Sequence, residues 1–230
     1  MVLAAFGDIH GNWPALAAAL ADIDDAGIRT IVCTGDVVAG FPFPNEVIDC
    51  LVGRSIAAVQ GSQDHLTASL VRSHGRTMKR ASEDAAAAMR WTYDHLSSAN
   101  IEYLRALPHV QRITIDSIDV FVCHGAPDAV NDGMGEDTSA QRFERYRESA
   151  RAHIIIGGNT HKTFDRHIEG TLFVNPGSLG CDERGAVYAV VSTEEEPWTV
   201  EYRFARYDRK AVDDAVLGAG LPPAASSTVQ

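Results

Sequence analysis

Short apolar runs that each stop at a cluster of glycine, aspartate or histidine set the rhythm of this chain. Residues 2–6 and 30–34 read as buried strands, and the stretch between them carries Leu16, Leu20 and Ile23 at helical spacing, with Pro14 near the helix start. That is a βαβ unit, and it predicts a parallel sheet. A second helix over 45–52 follows the turn Gly40-Phe41-Pro42-Phe43-Pro44, and residues 56–59 read as the next strand. From about 66 to 107 the periodicity is helical. Residues 112–115 and 118–123 form a hairpin about Asp116-Ser117, followed by a helix over 141–151 and a strand at 154–156. Later strands are predicted at 171–174, 186–191 and 198–204, and this second set suggests another sheet. Residues 1–217 fit one domain, and 218–230, small, polar and proline-containing, read as a frayed tail.

The polar clusters at the strand ends carry the chemistry. Gly7-Asp8-Ile9-His10, Gly35-Asp36, His124-Gly125 and Gly158-Asn159-Thr160-His161 each follow an apolar run, where ligands collect in open α/β sheets. Asp8 and His10 are one residue apart, so from an extended strand end both project to one side and offer an oxygen and an imidazole nitrogen to one ion. Asp36 has two oxygens and is the natural bridge between two ions about 3.5–4 Å apart. His124 and His161 close the shell from the opposite side. Two divalent metals in such a cage suggest phosphate-ester chemistry.

Composition narrows the partners. A net charge of −11 disfavours binding through a broad basic surface to duplex nucleic acid or an anionic membrane, so an anionic small-molecule substrate needs a local positive site, which metal ions supply. No apolar run reaches transmembrane length, and the amino terminus lacks a basic secretory leader. Cys33, Cys50, Cys123 and Cys181 show no paired spacing, and reduced thiols in a cytoplasm are expected. Oligomeric state cannot be read from the chain.

Asp8-Ile9-His10-Gly11-Asn12 with Pro14-Ala15-Leu16, Gly35-Asp36-Val37-Val38 with Pro44-Asn45-Glu46-Val47, Gly61 and Asp64, His124-Gly125, Thr160-His161 and Asn175-Pro176-Gly177-Ser178 together resemble the calcineurin-like metallophosphoesterase superfamily, in its small bacterial and archaeal phosphodiesterase branch. The resemblance covers nearly the whole chain. It implies a four-layer α/β/β/α sandwich of two mixed sheets flanked by helices, holding one or two divalent ions: manganese, iron, zinc or nickel. It implies that Asp8, His10, Asp36 and His161 form the first metal site, and that Asp36, Ser62, His124 and Asn159 occupy the second. A metal-activated hydroxide would attack phosphorus in line. Asp36, His124 and Asp64 are assigned to catalysis, Asn12 and Ser62 to substrate.

The chain departs from that pattern at the second metal. Gly61-Ser62-Gln63-Asp64 stands where the family usually has Gly-Asn-His-Asp or Gly-Asn-Xaa-Asp, and Gly158-Asn159-Thr160-His161 where it usually has Gly-His-Xaa-His. A hydroxyl and an amide oxygen are weaker ligands than the groups they replace. This leaves a second reading beside hydrolysis of phosphomonoesters or phosphodiesters: a non-catalytic or weakly active binding or regulatory protein. A nucleotide polyphosphate hydrolase or protein phosphatase is a third. Asn12 aims its amide at a phosphoryl oxygen or caps a helix before Pro14, Trp13 stacks on substrate or packs, and Phe41 and Phe43 line a substrate or the underside of their loop. Arg72, His74, Arg76, Lys79 and Arg80 form either a phosphate clamp or a solvated face, and His65 reads as a surface histidine.

Overall fold

In the first strand, alternate side chains go to opposite faces: Leu3 and Ala5 enter one buried cluster, Ala4 and Phe6 another. A strand apolar on both faces needs cover on both. In the computed structural model, which describes residues 1–70 and 82–222, helices cover one face and a second sheet the other.

In chain order the strands are β1 (Val2–Phe6), β2 (Thr30–Cys33), β3 (Ala57–Ala58), β4 (Val110–Ile115), β5 (Ile118–Cys123), β6 (Ile154–Ile156), β7 (Thr163–Ile168), β8 (Thr171–Pro176), β9 (Ala186–Ser192) and β10 (Thr199–Ala205). The described helices are α1 (Trp13–Asp25), α2 (Pro44–Gly53), α3 (Ser62–Ala68), α4 (Glu83–His95), α5 (Ser98–Ala106), α6 (Ala140–Ala150) and α7 (Arg209–Gly218). One five-stranded sheet runs β10-β9-β1-β2-β3, the other β4-β5-β6-β8-β7. Within each sheet the strands that carry the polar clusters lie parallel to one another, with Phe6 beside Cys33, Cys33 beside Ala58 and Val122 beside Ile156. Their carboxyl ends therefore emerge along one edge of each sheet.

The layers follow from the alternation. Leu3, Ala5 and Val32 from the first sheet meet Val120, Val122, Ile154, Ile156, Leu172 and Val174 from the second. Ala4 and Phe6 face Leu16, Leu20 and Ile48 of α1 and α2, while Phe121, Cys123 and Ile155 face Phe143 and Tyr146 of α6. This is the expected α/β/β/α sandwich. Each fully buried aliphatic side chain between the sheets contributes about 1.5–3 kcal/mol, so the sandwich can hold costly loop conformations at its edge.

Several expectations are corrected. The later strands do not make a sheet of their own: β8 joins β6 in the second sheet, while β9 returns to pair with β1 in the first and β10 pairs with β9 at its edge. Leu221, within the stretch read as a tail, is buried against a cluster with Phe41, Val212 and Val216. The edge strand β7 and helix α7 had no counterpart in the sequence reading. β7 is recognisable only by its pairing with β8, whereas α7 did carry a signal in the Asp208 cap and the Val212/Val216 pair four residues apart. Phe41 is buried, and Trp13 packs on the first-sheet core. The basic residues from Arg72 to Arg80, and residues 223–230, lie outside the described residues. Among the described residues no helix is long and apolar enough to cross a membrane.

Candidate metal centre

The loops at the carboxyl ends of β1, β2 and β6 hold Asp8, His10, Asp36, Asn159 and His161 at φ of 49°, 55°, 49°, 68° and 59°. The expected extended geometry for Asp8 and His10 is thus wrong in detail: left-handed turns, and not strand alternation, bring them together. Left-handed backbone at a non-glycine residue costs about 1–3 kcal/mol and persists only where the surroundings dictate it. Here the backbone N–H groups of Asp8, His10 and Gly11 donate to the carbonyls of Gly35, Asp36 and Val37 at 2.9, 2.9 and 2.8 Å, locking the two loops together. Gly61 presses on the second loop so closely that a Cβ there would lie 2.1 Å from Asp36 Oδ1 and 2.2 Å from its nitrogen.

The side chains converge. Ligand atoms of Asp8, His10 and Asp36 lie within 4.8 Å of one another, and so do those of His10, His161 and Cys181. His10 Nε2 is 3.2 Å from His161 Nε2, which is 3.6 Å from Asp8 Oδ1. His124 Nε2 is 3.4 Å from Asp36 Oδ2, the oxygen that also accepts from Ser62 Oγ at 3.4 Å.

Two observations test whether these residues fit metal ions. His10 and His124 each donate Nδ1–H to a backbone carbonyl, of Ala39 at 3.2 Å and of Thr34 at 2.9 Å, and a carbonyl can only accept. That fixes the tautomer and aims the Nε2 lone pairs into the site, as in metal-binding histidines. Asp8 Oδ1 and His124 Nε2 are moreover buried with no hydrogen-bond partner. Orphaned buried groups of this kind are costly unless a cation takes them up. The donor set fits.

Charges within the site are strongly coupled. Burial opposes ionisation of Asp36, but the positive charge of His124 outweighs it and holds the carboxyl down to about 2. Burial likewise opposes protonation of His124, and Asp36 reverses this, raising the imidazole to about 10. His161 is raised by Asp8 against the effect of burial, whereas burial and then His161 lower His10. For the metal-free protein, the stability contributed by His124 is full below its ordinary 6.5 and fades as pH rises towards about 10. That from Asp36 is full above its ordinary 3.8 and fades as pH falls towards about 2. An ion held by His124 would displace its proton, so calorimetric titration is expected to show affinity strengthening by about tenfold per unit rise in pH. Affinity independent of pH would exclude His124 as a ligand.

The other anticipated site residues divide. Ser62, first in α3, points its hydroxyl at Asp36. Asn159 donates its backbone N–H to Asp8 Oδ2 at 3.0 Å and its side-chain amide to the carbonyls of Asn131 and Asp132 at 3.2 and 3.3 Å. Asp64, assigned to catalysis, is fully buried, and its two oxygens accept the backbone N–H groups of Val37, Val38 and Gly61 at 2.9, 3.2 and 2.9 Å. It is a positioning residue that ties the Asp36 loop to α3. Of the two roles left open, Asn12 makes the cap, accepting from Ala15 N at 3.2 Å, and it donates to Gly180 O at 2.8 Å. His65 is exposed and touches Gln60. Beside Ser62 and Asn159 opens a cavity of about 790 Å³, lined also by Gln63, Arg142, Lys162 and Phe164. Cys181 was missed, because it lies outside every ligand block and only the tertiary fold brings it to the histidines.

Residues 1–196 match the family model described as the calcineurin-like phosphoesterase superfamily domain. The uncharacterized protein MJ0912 of Methanocaldococcus jannaschii is 25% identical over 241 residues, covering 96% of this chain and 94% of its own. Among solved structures, the hypothetical protein PH1004 from Pyrococcus horikoshii superposes with a TM-score of 0.88 at 24% identity, over 99% of this chain and 97% of its own. A metallophosphoesterase from Sphaerobacter thermophilus does so with a TM-score of 0.76 at 23% identity, over 100% and 98%. At these identities the two structures speak for the fold.

Proposed function

The chain belongs to the calcineurin-like phosphoesterase superfamily, and on that premise we propose that it is a cytoplasmic, metal-dependent hydrolase of small phosphomonoesters or phosphodiesters. The observation that carries this reading is the pair of imidazoles, His10 and His124, whose Nδ1–H bonds to backbone turn both Nε2 atoms into the site, that of His124 beside Asp36 and that of His10 beside His161. Asp8, His10, Asp36 and His161 would hold one ion, and Asp36, His124, Ser62 and Asn159 a second, more weakly. Divalent ions there supply Lewis acidity towards phosphoryl oxygens and lower the pKa of bound water. The protein's own share is positioning. Asp64 fixes the Asp36 loop through three N–H groups, and Asn159 N–H fixes the carboxylate of Asp8. The adjoining cavity has room for a small organic ester, with Lys162 and Arg142 on its wall. Free cysteines and the absence of a membrane-crossing helix among the described residues suit a cytoplasmic setting.

The test is the initial rate of bis(p-nitrophenyl) phosphate hydrolysis as manganese is returned to chelator-stripped protein. A saturable rate supports the reading, and no turnover of this ester or of p-nitrophenyl phosphate at any manganese concentration counts against it.

A second reading, a binding or regulatory protein with an impaired second site, is favoured by Ser62 and by the tethering of the Asn159 amide to Asn131 and Asp132. Restoring the family ligands with Ser62→Asn and Asn159→His is expected to raise bound metal towards two ions per chain and the rate by at least about tenfold. If the native protein already binds two ions, and the double variant gains neither metal nor rate, the second reading is lost.

A further inference from the structure

The second ligand cluster contains a residue for which the proposed function has no use. Cys181 follows β8 on a segment clamped to the first metal loop: Leu179 N and Gly180 N donate to the carbonyls of Gly7 and Asp8, both at 3.0 Å, and Ser178 Oγ donates to Asp8 O at 2.8 Å while accepting Cys181 N at 3.2 Å. A Cβ at Gly180 would lie 2.1 Å from Ile9 O, so the two segments touch as closely as a glycine allows. This clamp sets the Cys181 sulfur within 4.8 Å of ligand nitrogens on both His10 and His161. The residue is half-buried and packs on its apolar side against the cluster of Phe41, Val212 and Leu221. His10 Nε2 and His161 Nε2, 3.2 Å apart, make up the rest of this face.

We propose that Cys181 is a thiolate ligand of the first ion, giving a site otherwise built of carboxylates a soft face of His10, His161 and Cys181. The inference rests on the metal-binding reading above. On binding, the S–H bond breaks, its proton passes to solvent and a sulfur–metal bond forms, as for any coordinating thiol. Thiolate and imidazole favour zinc, ferrous iron or cobalt(II) over manganese or magnesium, which prefer oxygen. The chain therefore selects a thiophilic ion for its first site.

Cobalt(II) titration of chelator-stripped protein reads this without any turnover. Wild type is expected to show ligand-field bands in the visible and a thiolate-to-cobalt charge-transfer band in the near ultraviolet. Cys181→Ser and Cys181→Ala should each lose the charge-transfer band, keep the ligand-field bands and show a zinc-over-manganese preference at least about tenfold smaller. Ligand-field bands without charge transfer in wild type would overturn the cysteine ligand and leave the metal site standing. A charge-transfer band that survives in both variants would assign the sulfur to another cysteine and overturn it too. Absence of all bands, with His10→Ala indistinguishable from wild type, would sink the metal reading and the inference together.

Discussion

Asp36→Asn is expected to lower metal-dependent hydrolysis of bis(p-nitrophenyl) phosphate by more than about 100-fold, since loss of a mere supporting partner of a metal ligand already costs roughly 10–100-fold. One Asp36 oxygen accepts Gln63 N–H at 2.8 Å, and the other faces Ser62 Oγ and His124 Nε2, each at 3.4 Å. An asparagine must keep its carbonyl towards Gln63, because turning the amide round would oppose two donors. Its NH₂ then points where the ions need a negatively charged bridge. The same change removes the charge that raises His124, so in the metal-free variant the imidazole should titrate well below the value of about 10 it has beside Asp36, which proton NMR of the ring follows directly. A variant keeping more than about a tenth of the wild-type rate would show that Asp36 is no bridging ligand.

The other large effect concerns stability. Asp64→Ala strips the acceptor from three buried backbone N–H groups, those of Val37, Val38 and Gly61, and unsatisfied donors cost about 1–3 kcal/mol each. Urea unfolding of the metal-stripped variant should show a loss of about 3 kcal/mol or more, with metal affinity falling in parallel as the Asp36 loop loosens. Asp64→Asn keeps one acceptor oxygen but places an NH₂ against an N–H, and should fall between. An Asp64→Ala protein as stable as wild type yet inactive would return Asp64 to the reacting atoms and refute the positioning role.

These cases show where sequence reasoning succeeds. Metal-ligand types at strand ends were legible because β1, β2, β5 and β6 are apolar runs that stop at Asp8, Asp36, His124 and Asn159, and a parallel sheet must bring such ends to one edge. The sandwich was legible from the family motifs, but the return of β9 and β10 to the first sheet was not, since strand order is a tertiary choice that alternation leaves open. The backbone partners of Asp64 were not legible, because a carboxylate in a metal motif looks the same whether it meets an ion or backbone N–H groups. Asn12 stands in the sequence between a cap and a substrate contact: the cap to Ala15 is local and legible, but the bond to Gly180 spans 168 positions and is not. Cys181 escaped notice because its partners lie in other segments and no spacing rule connects them.

The loops of the site are joined late in the chain's own terms. Asn159 N–H reaches Asp8 across 151 positions, and His124 reaches Thr34 across 90, each pair linking the two sheets. Contacts of such separation form only after the sheets have docked, because loop closure must precede them. The cage therefore does not exist in a half-assembled chain, and an ion has little to hold before the folding barrier has been crossed. Bound metal would act on the return journey: it would leave the pace of folding nearly unchanged and slow escape from the native state, a kinetic latch between two sheets.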